Sequence, residues 1–123
     1  MLESYIIWEP RGVCFTQTGA LYTSVLLDAL IRIGAHPHFD RFRYVIADLT
    51  ACPPLTRCRD TLDPIMAQMI GAYYSNPRIA VHVASSDPLV LRLARILQRN
   101  VLWELHTVSA LNEARQSVAR IAC

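Results

Sequence analysis

The segment that decides the fold is residues 43–49, which reads RYVIADL. Its centre is a nearly continuous apolar run rather than an alternation of apolar and polar residues. This pattern is typical of a strand buried on both faces, as in a parallel sheet covered by helices. We therefore expect the third strand of the chain at residues 42–49, inside an α/β domain.

The flanking segments predict four more strands. Residues 4–8 and 12–18 are rich in β-branched and aromatic residues, and a Pro-Arg-Gly turn signal at residues 10–12 separates them. They predict an N-terminal hairpin whose first strand is antiparallel to the second. Residues 78–84 and 101–106 predict strands four and five.

Four amphipathic segments predict helices between and after the strands. The first covers about residues 22–33 with Thr23 as its N-cap, and the second runs from residue 61 or 64 to 74. The third starts at Asp87 and Pro88, and the fourth follows Ser109. The order β-β-α-β-α-β-α-β-α predicts a single domain over residues 1–123. Its sheet is expected to be five-stranded and mainly parallel.

Composition excludes several classes of protein. With 53% hydrophobic and 18% charged residues among 123, intrinsic disorder is excluded. No apolar run reaches the roughly 18–20 residues that cross a bilayer, so no stable membrane insertion is expected. The start of the chain lacks the basic region of a signal peptide, which predicts a cytoplasmic location. A net charge of +2 makes no case for nucleic acid.

The residues usable for metal or covalent chemistry form no recognisable site. All 12 basic residues are arginine, which excludes a lysine Schiff base or a P-loop lysine. His36 and His38 have no clear third ligand, and the four cysteines fit no common zinc module, so no metal and no cofactor are expected. Cys14 is interpreted as a core residue, whereas Cys52 and Cys58 are loop thiols, either ordinary or reactive.

Six short patches span almost the whole chain: Gly12-Val13, His36-Pro37-His38-Phe39, the strand from Tyr44 to Thr50, the strand from Arg78 to Val81, Asp87-Pro88-Leu89 and Asn112-Glu113-Ala114. Together with the order of elements, they resemble the STAS superfamily (sulfate transporter and anti-sigma-factor antagonist domains). The resemblance is to its stand-alone, antagonist-like bacterial branch.

The resemblance implies a non-catalytic regulatory module that binds a protein partner of unknown identity. Some members are controlled by phosphorylation of a Ser or Thr at the start of the helix after the third strand. Asp48 matches the end of that strand, but the sequence Cys52-Pro53-Pro54 stands where the usual loop has Asp-Ser and Gly. Thr56 and Thr61 are the hydroxyls available for phosphorylation. The implied partner-binding residues are Asp48, Thr50, Thr56, Arg57, Arg59 and Thr61. A homodimer is expected to cover the edge strand of the hairpin.

Two alternatives remain open at the level of sequence. The layout is also similar to lipid-binding domains of the Sec14 type, which implies a small apolar or lipid-like ligand. The positions of Asp48 at the end of a parallel strand and of His82 on a strand face suggest them as its ligand-binding residues. Asp48 and His82 also allow an enzyme, although no nucleophile is marked. His82 alternates with Ala80 and Ala84 on one strand face, which leaves space for a ligand or for a close helix. Asp48 either caps the following loop or accepts hydrogen bonds from a partner.

Overall fold

Five strands, four α-helices and one 3-10 turn follow one another in the computed structural model, which describes residues 3–55 and 62–121. The strands are β1 (Ser4–Glu9), β2 (Gly12–Gln17), β3 (Tyr44–Asp48), β4 (Ala80–Ala84) and β5 (Glu104–Val108). The helices are α1 (Thr23–Gly34), α2 (Asp63–Ser75), α3 (Pro88–Asn100) and α4 (Leu111–Ile121), and the 3-10 turn is Phe39–Arg41.

The strands form one sheet in the order β1-β2-β3-β4-β5. β1 is antiparallel to β2, and all later neighbours are parallel. Parallel neighbours need a crossover between them, and the helices between successive strands supply it. The predicted class is confirmed: a single α/β domain with a mainly parallel five-stranded sheet, an antiparallel N-terminal strand and four helices.

The two faces of the sheet meet different helices. On one face, Phe15, Val45 and Val81 belong to the larger core, which includes buried residues of α1, α2 and α3. On the other face, Cys14 and Ile46 pack with buried residues of α4. We call these the three-helix face and the α4 face. Successive side chains of a strand point to opposite sides, so each strand contributes to both cores.

β5 lies further along the chain than the sequence pattern indicated. The prediction of residues 101–106 was wrong at both ends, since the strand is Glu104–Val108. The apolar residues before β5 have other structural roles. The Val101 N–H closes α3 on the Leu97 carbonyl at 3.0 Å. Trp103 is buried and donates its indole N–H to the Asn76 carbonyl at 2.7 Å.

The starts of two helices show one wrong and one confirmed cap. Thr23 is not the N-cap of α1 but its first helical residue, and Tyr22 holds the cap position without a side-chain cap hydrogen bond. α3 begins as predicted, with Asp87 accepting the Leu89 N–H at 3.0 Å and Pro88 in the first turn. The buried end of β4 and the carboxylate cap from Asp87 together determine where α3 starts.

A cluster of three polar side chains fastens α4 to the hairpin. Arg115 donates two hydrogen bonds of 2.7 Å to the Glu9 carboxylate, and the Tyr44 hydroxyl donates to the same carboxylate. Arg115 lowers the pKa of Glu9, while burial and then Glu9 raise the pKa of Tyr44 to about 12. Gly12 is required here for a close approach, because a Cβ at this position would lie 2.5 Å from the Tyr44 ring.

Candidate functional site

Asp48 ends β3 and shapes the turn that follows it. Its Oδ1 accepts two hydrogen bonds from Thr50, one from the backbone N–H at 3.2 Å and one from the hydroxyl at 2.6 Å. Asp48 is buried, whereas Thr50 is exposed. The structure thus brings two of the predicted partner-binding residues together, and Asp48 caps the loop through hydrogen bonds to it.

The other predicted partner-binding residues lie outside the described part of the chain: Thr56, Arg57, Arg59 and Thr61. Their roles in partner binding and phosphorylation stay predictions. The described residue immediately before this segment is anchored, because the Leu55 N–H donates to Asp87 Oδ2 at 2.8 Å. Asp87 therefore holds both the start of α3 and the end of the described loop.

His82 lies on the α4 face at the centre of β4, opposite in direction to Val81, as its alternation predicted. It pairs in register with Ile46, and Asp48 pairs with Ala84, so Asp48 and His82 share a face on neighbouring strands. Both ring nitrogens of His82 are buried, and neither finds a hydrogen-bond partner within residues 3–55 and 62–121. Asp48 and His82 therefore form no hydrogen-bonded pair.

The His82 ring is held in a nearly dry environment. The residue is 3% exposed, and its ring stacks on that of His106 with centroids 5.2 Å apart and an interplanar angle of 29°. Burial lowers the pKa of His82, the charge of His106 lowers it further, and Glu104 opposes this shift. The folded protein therefore keeps His82 neutral near neutral pH.

Acidification is expected to destabilise the protein through His82. The folded-state pKa lies below the ordinary value of 6.5, so below that pH the unfolded chain binds a proton that the folded chain does not. The stability that His82 contributes is therefore complete above pH 6.5 and is lost as the pH falls towards the folded-state pKa. The loss is at most ~1.4 kcal/mol per pH unit. Urea unfolding between about pH 7 and pH 5.5 measures it.

Two variants isolate this effect. His82→Leu should unfold with a smaller dependence on pH than the wild type, because the titrating ring is gone. His38→Asn removes an exposed histidine and should keep the wild-type dependence. Equal pH slopes for the wild type and His82→Leu would contradict the assignment.

The Cys52 thiol is partly buried and is not activated as a nucleophile. Its Sγ donates to the Gln17 carbonyl at 3.3 Å. Burial raises the pKa of Cys52, and the negative charges of Asp48 and Asp87 raise it further. A thiol with a raised pKa is a poor nucleophile at neutral pH. Cys58, the second loop thiol, is outside the described residues.

An apolar cavity of about 390 Å³ lies between the three-helix face of the sheet and helices α1, α2 and α3. On the sheet, its wall is formed by Phe15, Ala47 and Val83, together with further apolar residues of β3, β4 and β5. The polar residues in its described lining are Tyr22 and Thr23, at the start of α1. Tyr22 is 57% exposed, so this part of the wall lies at the surface. The helices and loops contribute the leucines Leu21, Leu26, Leu30, Leu49, Leu55, Leu62, Leu93 and Leu97.

The burial of the lining residues follows from the cavity. Ala47 occupies the middle strand of the sheet, where full burial is the rule, and yet it is only half-buried. Its neighbours in register, Phe15 and Val83, also line the cavity. Leu30 and Leu97 on two different helices are likewise half-buried. Small and incompletely covered side chains in the centre of a sheet indicate unfilled space above it.

Neither sequence comparison identifies a family. No protein-family model matches the chain, and no curated protein matches it. No helix within the described ranges combines the length and the apolarity needed to cross a membrane. Within the same ranges, no group of three or more His, Cys, Asp or Glu side chains is placed to hold a metal ion.

Sequence reasoning left an apolar ligand open but did not locate the cavity, and the reason is physical. The stripes on α1 and α3, with Leu26 and Leu30 on one helix and Leu93 and Leu97 on the other, predicted ordinary core packing. A helix that lines a cavity has the same periodicity as a helix that fills a core. The one weak signal was Ala47, a small residue among large apolar ones in the strand that decides the fold.

Proposed function

We propose that this protein binds a small apolar or lipid-like molecule in the apolar cavity. The observation that carries the proposal is the volume of about 390 Å³ lined mostly by hydrocarbon side chains. Sites for drug-sized ligands span about 300–1,000 Å³ and are lined mostly by apolar residues with a few polar groups. The cavity agrees with that description in size and in chemistry.

An energetic argument supports an occupant. Apolar side chains that line a partly open cavity stay in contact with water, and burying apolar surface contributes about 25 cal/mol per Å². A bound apolar molecule would cover this lining and so stabilise the folded chain.

The lining indicates the kind of ligand. Hydrocarbon walls accept an aliphatic or aromatic body and reject buried charge. Tyr22 and Thr23 place hydroxyl groups where the cavity approaches the surface, at the start of α1. We therefore expect a mainly hydrocarbon molecule whose polar end lies near Tyr22. Asp48 and His82, the ligand-binding residues expected from the sequence, are not part of this lining.

The first test is native mass spectrometry of the protein purified without denaturation. We expect an adduct that is lost on denaturation, which leaves the 13.9 kDa chain. Titration of the delipidated protein with a fluorescent fatty acid, cis-parinaric acid, should then show saturable binding that oleate displaces. A chain mass without adduct, together with no saturable binding of either fatty acid, would contradict the proposal.

Partner binding by a regulatory module is the second candidate, in line with the resemblance to STAS domains. Two observations favour it. Tyr74 of α2 is 76% exposed, and Thr50 is exposed but held in place by Asp48. The segment carrying the remaining predicted residues lies between Leu55 and Leu62, both of which line the cavity. A clean chain mass without adduct in the native spectrum would favour this candidate over ligand binding.

A cytoplasmic location and a homodimer belong to the same set of proposals. Cys14 and Cys52 are free thiols, as is usual in a reducing compartment. The edge strand β1 carries the exposed side chains of Tyr5 and Ile7, which a second copy would cover. The native mass spectrum that tests for a ligand also reports the number of chains.

A further inference from the structure

A second cleft, of about 390 Å³, lies at the opposite end of the sheet from Tyr22, where the apolar cavity reaches the surface. It is bordered by the β1–β2 turn, by the residues leading into β3, and by those leading into β4. It shares no lining residue with the apolar cavity. Its arginines are Arg11, Arg41, Arg43 and Arg78, and its acidic residue is Asp40.

The cleft carries an excess of positive charge. The ion pairs found in the described ranges are Arg115–Glu9 and His106–Glu104, so none of the four cleft arginines is paired with a described carboxylate. Partial burial lowers the pKa of Arg43, the positive charges of Arg78 and Arg11 lower it further, and Asp40 opposes this shift. Guanidinium groups that repel one another in one concave site are stabilised when an anion binds between them.

Hydrogen bonds hold the centre of the cleft in shape. One guanidinium nitrogen of Arg43, Nη1, donates to the carbonyls of Asp40 and Phe42, both at 3.0 Å. The Arg43 backbone N–H donates to the Arg11 carbonyl at 2.6 Å, which joins the β1–β2 turn to the start of β3. Within residues 3–55 and 62–121, these are the hydrogen bonds that the Arg43 guanidinium makes. A fixed guanidinium loses less entropy on binding than a freely rotating one.

Asn76 fixes the remaining wall. Its Nδ2 donates to the carbonyls of Phe39 and Phe42 at 2.7 and 2.8 Å, and its Oδ1 accepts the Arg78 N–H at 3.1 Å. One buried side chain therefore sets the distance between the residues before β3 and those before β4. This arrangement fixes the backbone next to Arg43 and at Arg78, and both residues line the cleft.

We propose that this cleft binds a small, multiply charged oxyanion, of which a phosphate monoester or diphosphate group is the closest match. Planar guanidinium groups donate paired hydrogen bonds to phosphate oxygens, and several arginines on one anion add geometric selectivity. The same chemistry fits a free phosphorylated metabolite and a phospholipid headgroup. The proposal is independent of the ligand in the apolar cavity, since the two sites have separate walls.

Calorimetric titration with inorganic pyrophosphate at low salt tests the binding of a free anion. Sedimentation with phosphatidylcholine vesicles, with and without phosphatidic acid, tests a headgroup. The test variant is Arg11→Gln combined with Arg78→Gln. Both residues are exposed, and Arg43 with its backbone contacts is retained. The matched control is Arg92→Gln combined with Arg95→Gln, which removes the same charge from the exposed surface of α3. Unchanged melting temperatures would show that both variants fold.

We expect pyrophosphate to bind with one site per chain, and the Arg11/Arg78 variant to lose about tenfold or more in affinity. The control should bind as the wild type does. Binding of pyrophosphate without sedimentation would identify a soluble ligand. Sedimentation with phosphatidic acid vesicles that pyrophosphate reverses would identify a headgroup. No saturable binding to either probe, or equal losses in both variants, would overturn the proposal.

Discussion

Replacing Ala47 by phenylalanine is expected to abolish binding of cis-parinaric acid and to stabilise the folded protein at the same time. Ala47 lies in the middle strand, and its side chain lines the apolar cavity. A phenyl ring at this position enters the space that a ligand would occupy. Filling a cavity commonly stabilises a protein by about 0.5–2 kcal/mol, whereas adding the same ring to a filled core costs about 1–3 kcal/mol.

The opposite signs of the two effects make this variant informative. A variant that merely unfolds would lose binding and stability together. Urea unfolding measures the stability, and fluorescence titration measures the affinity of the same preparation. Ala67→Phe is the matched control, because Ala67 is exposed on α2 and lies outside the cavity lining. It should leave both quantities close to those of the wild type.

Two results would count against the cavity as the ligand site. If Ala47→Phe is more stable but binds the fatty acid with unchanged affinity, the fatty acid occupies another part of the molecule. If Ala47→Phe is destabilised while Ala67→Phe is not, the space above Ala47 is already filled by protein atoms.

Replacing Asn76 by alanine is expected to lower the free energy of unfolding by about 3 kcal/mol. Asn76 is 3% exposed, and its side chain makes three hydrogen bonds to the backbone of other residues. Truncation removes one of the two donors to each of the Phe39 and Phe42 carbonyls, which keep the Phe42 N–H and Arg43 Nη1 respectively, and it leaves the Arg78 N–H without this acceptor. Each lost hydrogen bond costs about 0.5–1.5 kcal/mol, and a polar group left without a partner costs about 1–3 kcal/mol. Urea or thermal unfolding measures the loss.

The chain offers both a control and a sharper variant. Asn100→Ala removes an exposed hydrogen bond of 2.7 Å to the Ile96 carbonyl and should change stability by less than about 1 kcal/mol. Asn76→Asp keeps the shape but replaces the Nδ2 donor by an oxygen facing two carbonyl oxygens, so it should destabilise at least as much as alanine. Similar small losses at Asn76 and Asn100 would contradict the role given to Asn76.

The fold could be predicted largely from local patterns. A buried strand, a hairpin signal and amphipathic helices are each visible within about ten residues, and their order restricts the topology. The position of β5 could not be predicted in this way. Val101 and Trp103 look like strand residues, but one closes α3 and the other packs in the core with its indole bonded to Asn76.

The candidate sites were less accessible to sequence reasoning. Nothing near Asn76 in the sequence shows that the partners of its side chain lie 34 and 37 residues away. Glu9 and Arg115, which are 106 residues apart, gave no signal of their pairing. The four arginines of the second cleft come from three separate segments. The net charge of +2 describes the whole chain and does not reveal that these arginines lie close together.

The sequence by itself determined the class of the fold, the antiparallel start of the sheet, the turn between β1 and β2, and the Asp87 cap of α3. Only the tertiary structure decided that the leucine stripes of α1 and α3 line a cavity and that arginines from three segments share one cleft. The physical reason is the range of the interactions. Hydrogen bonds and periodicity along one element are local, whereas empty volume and clustered charge depend on how distant elements pack.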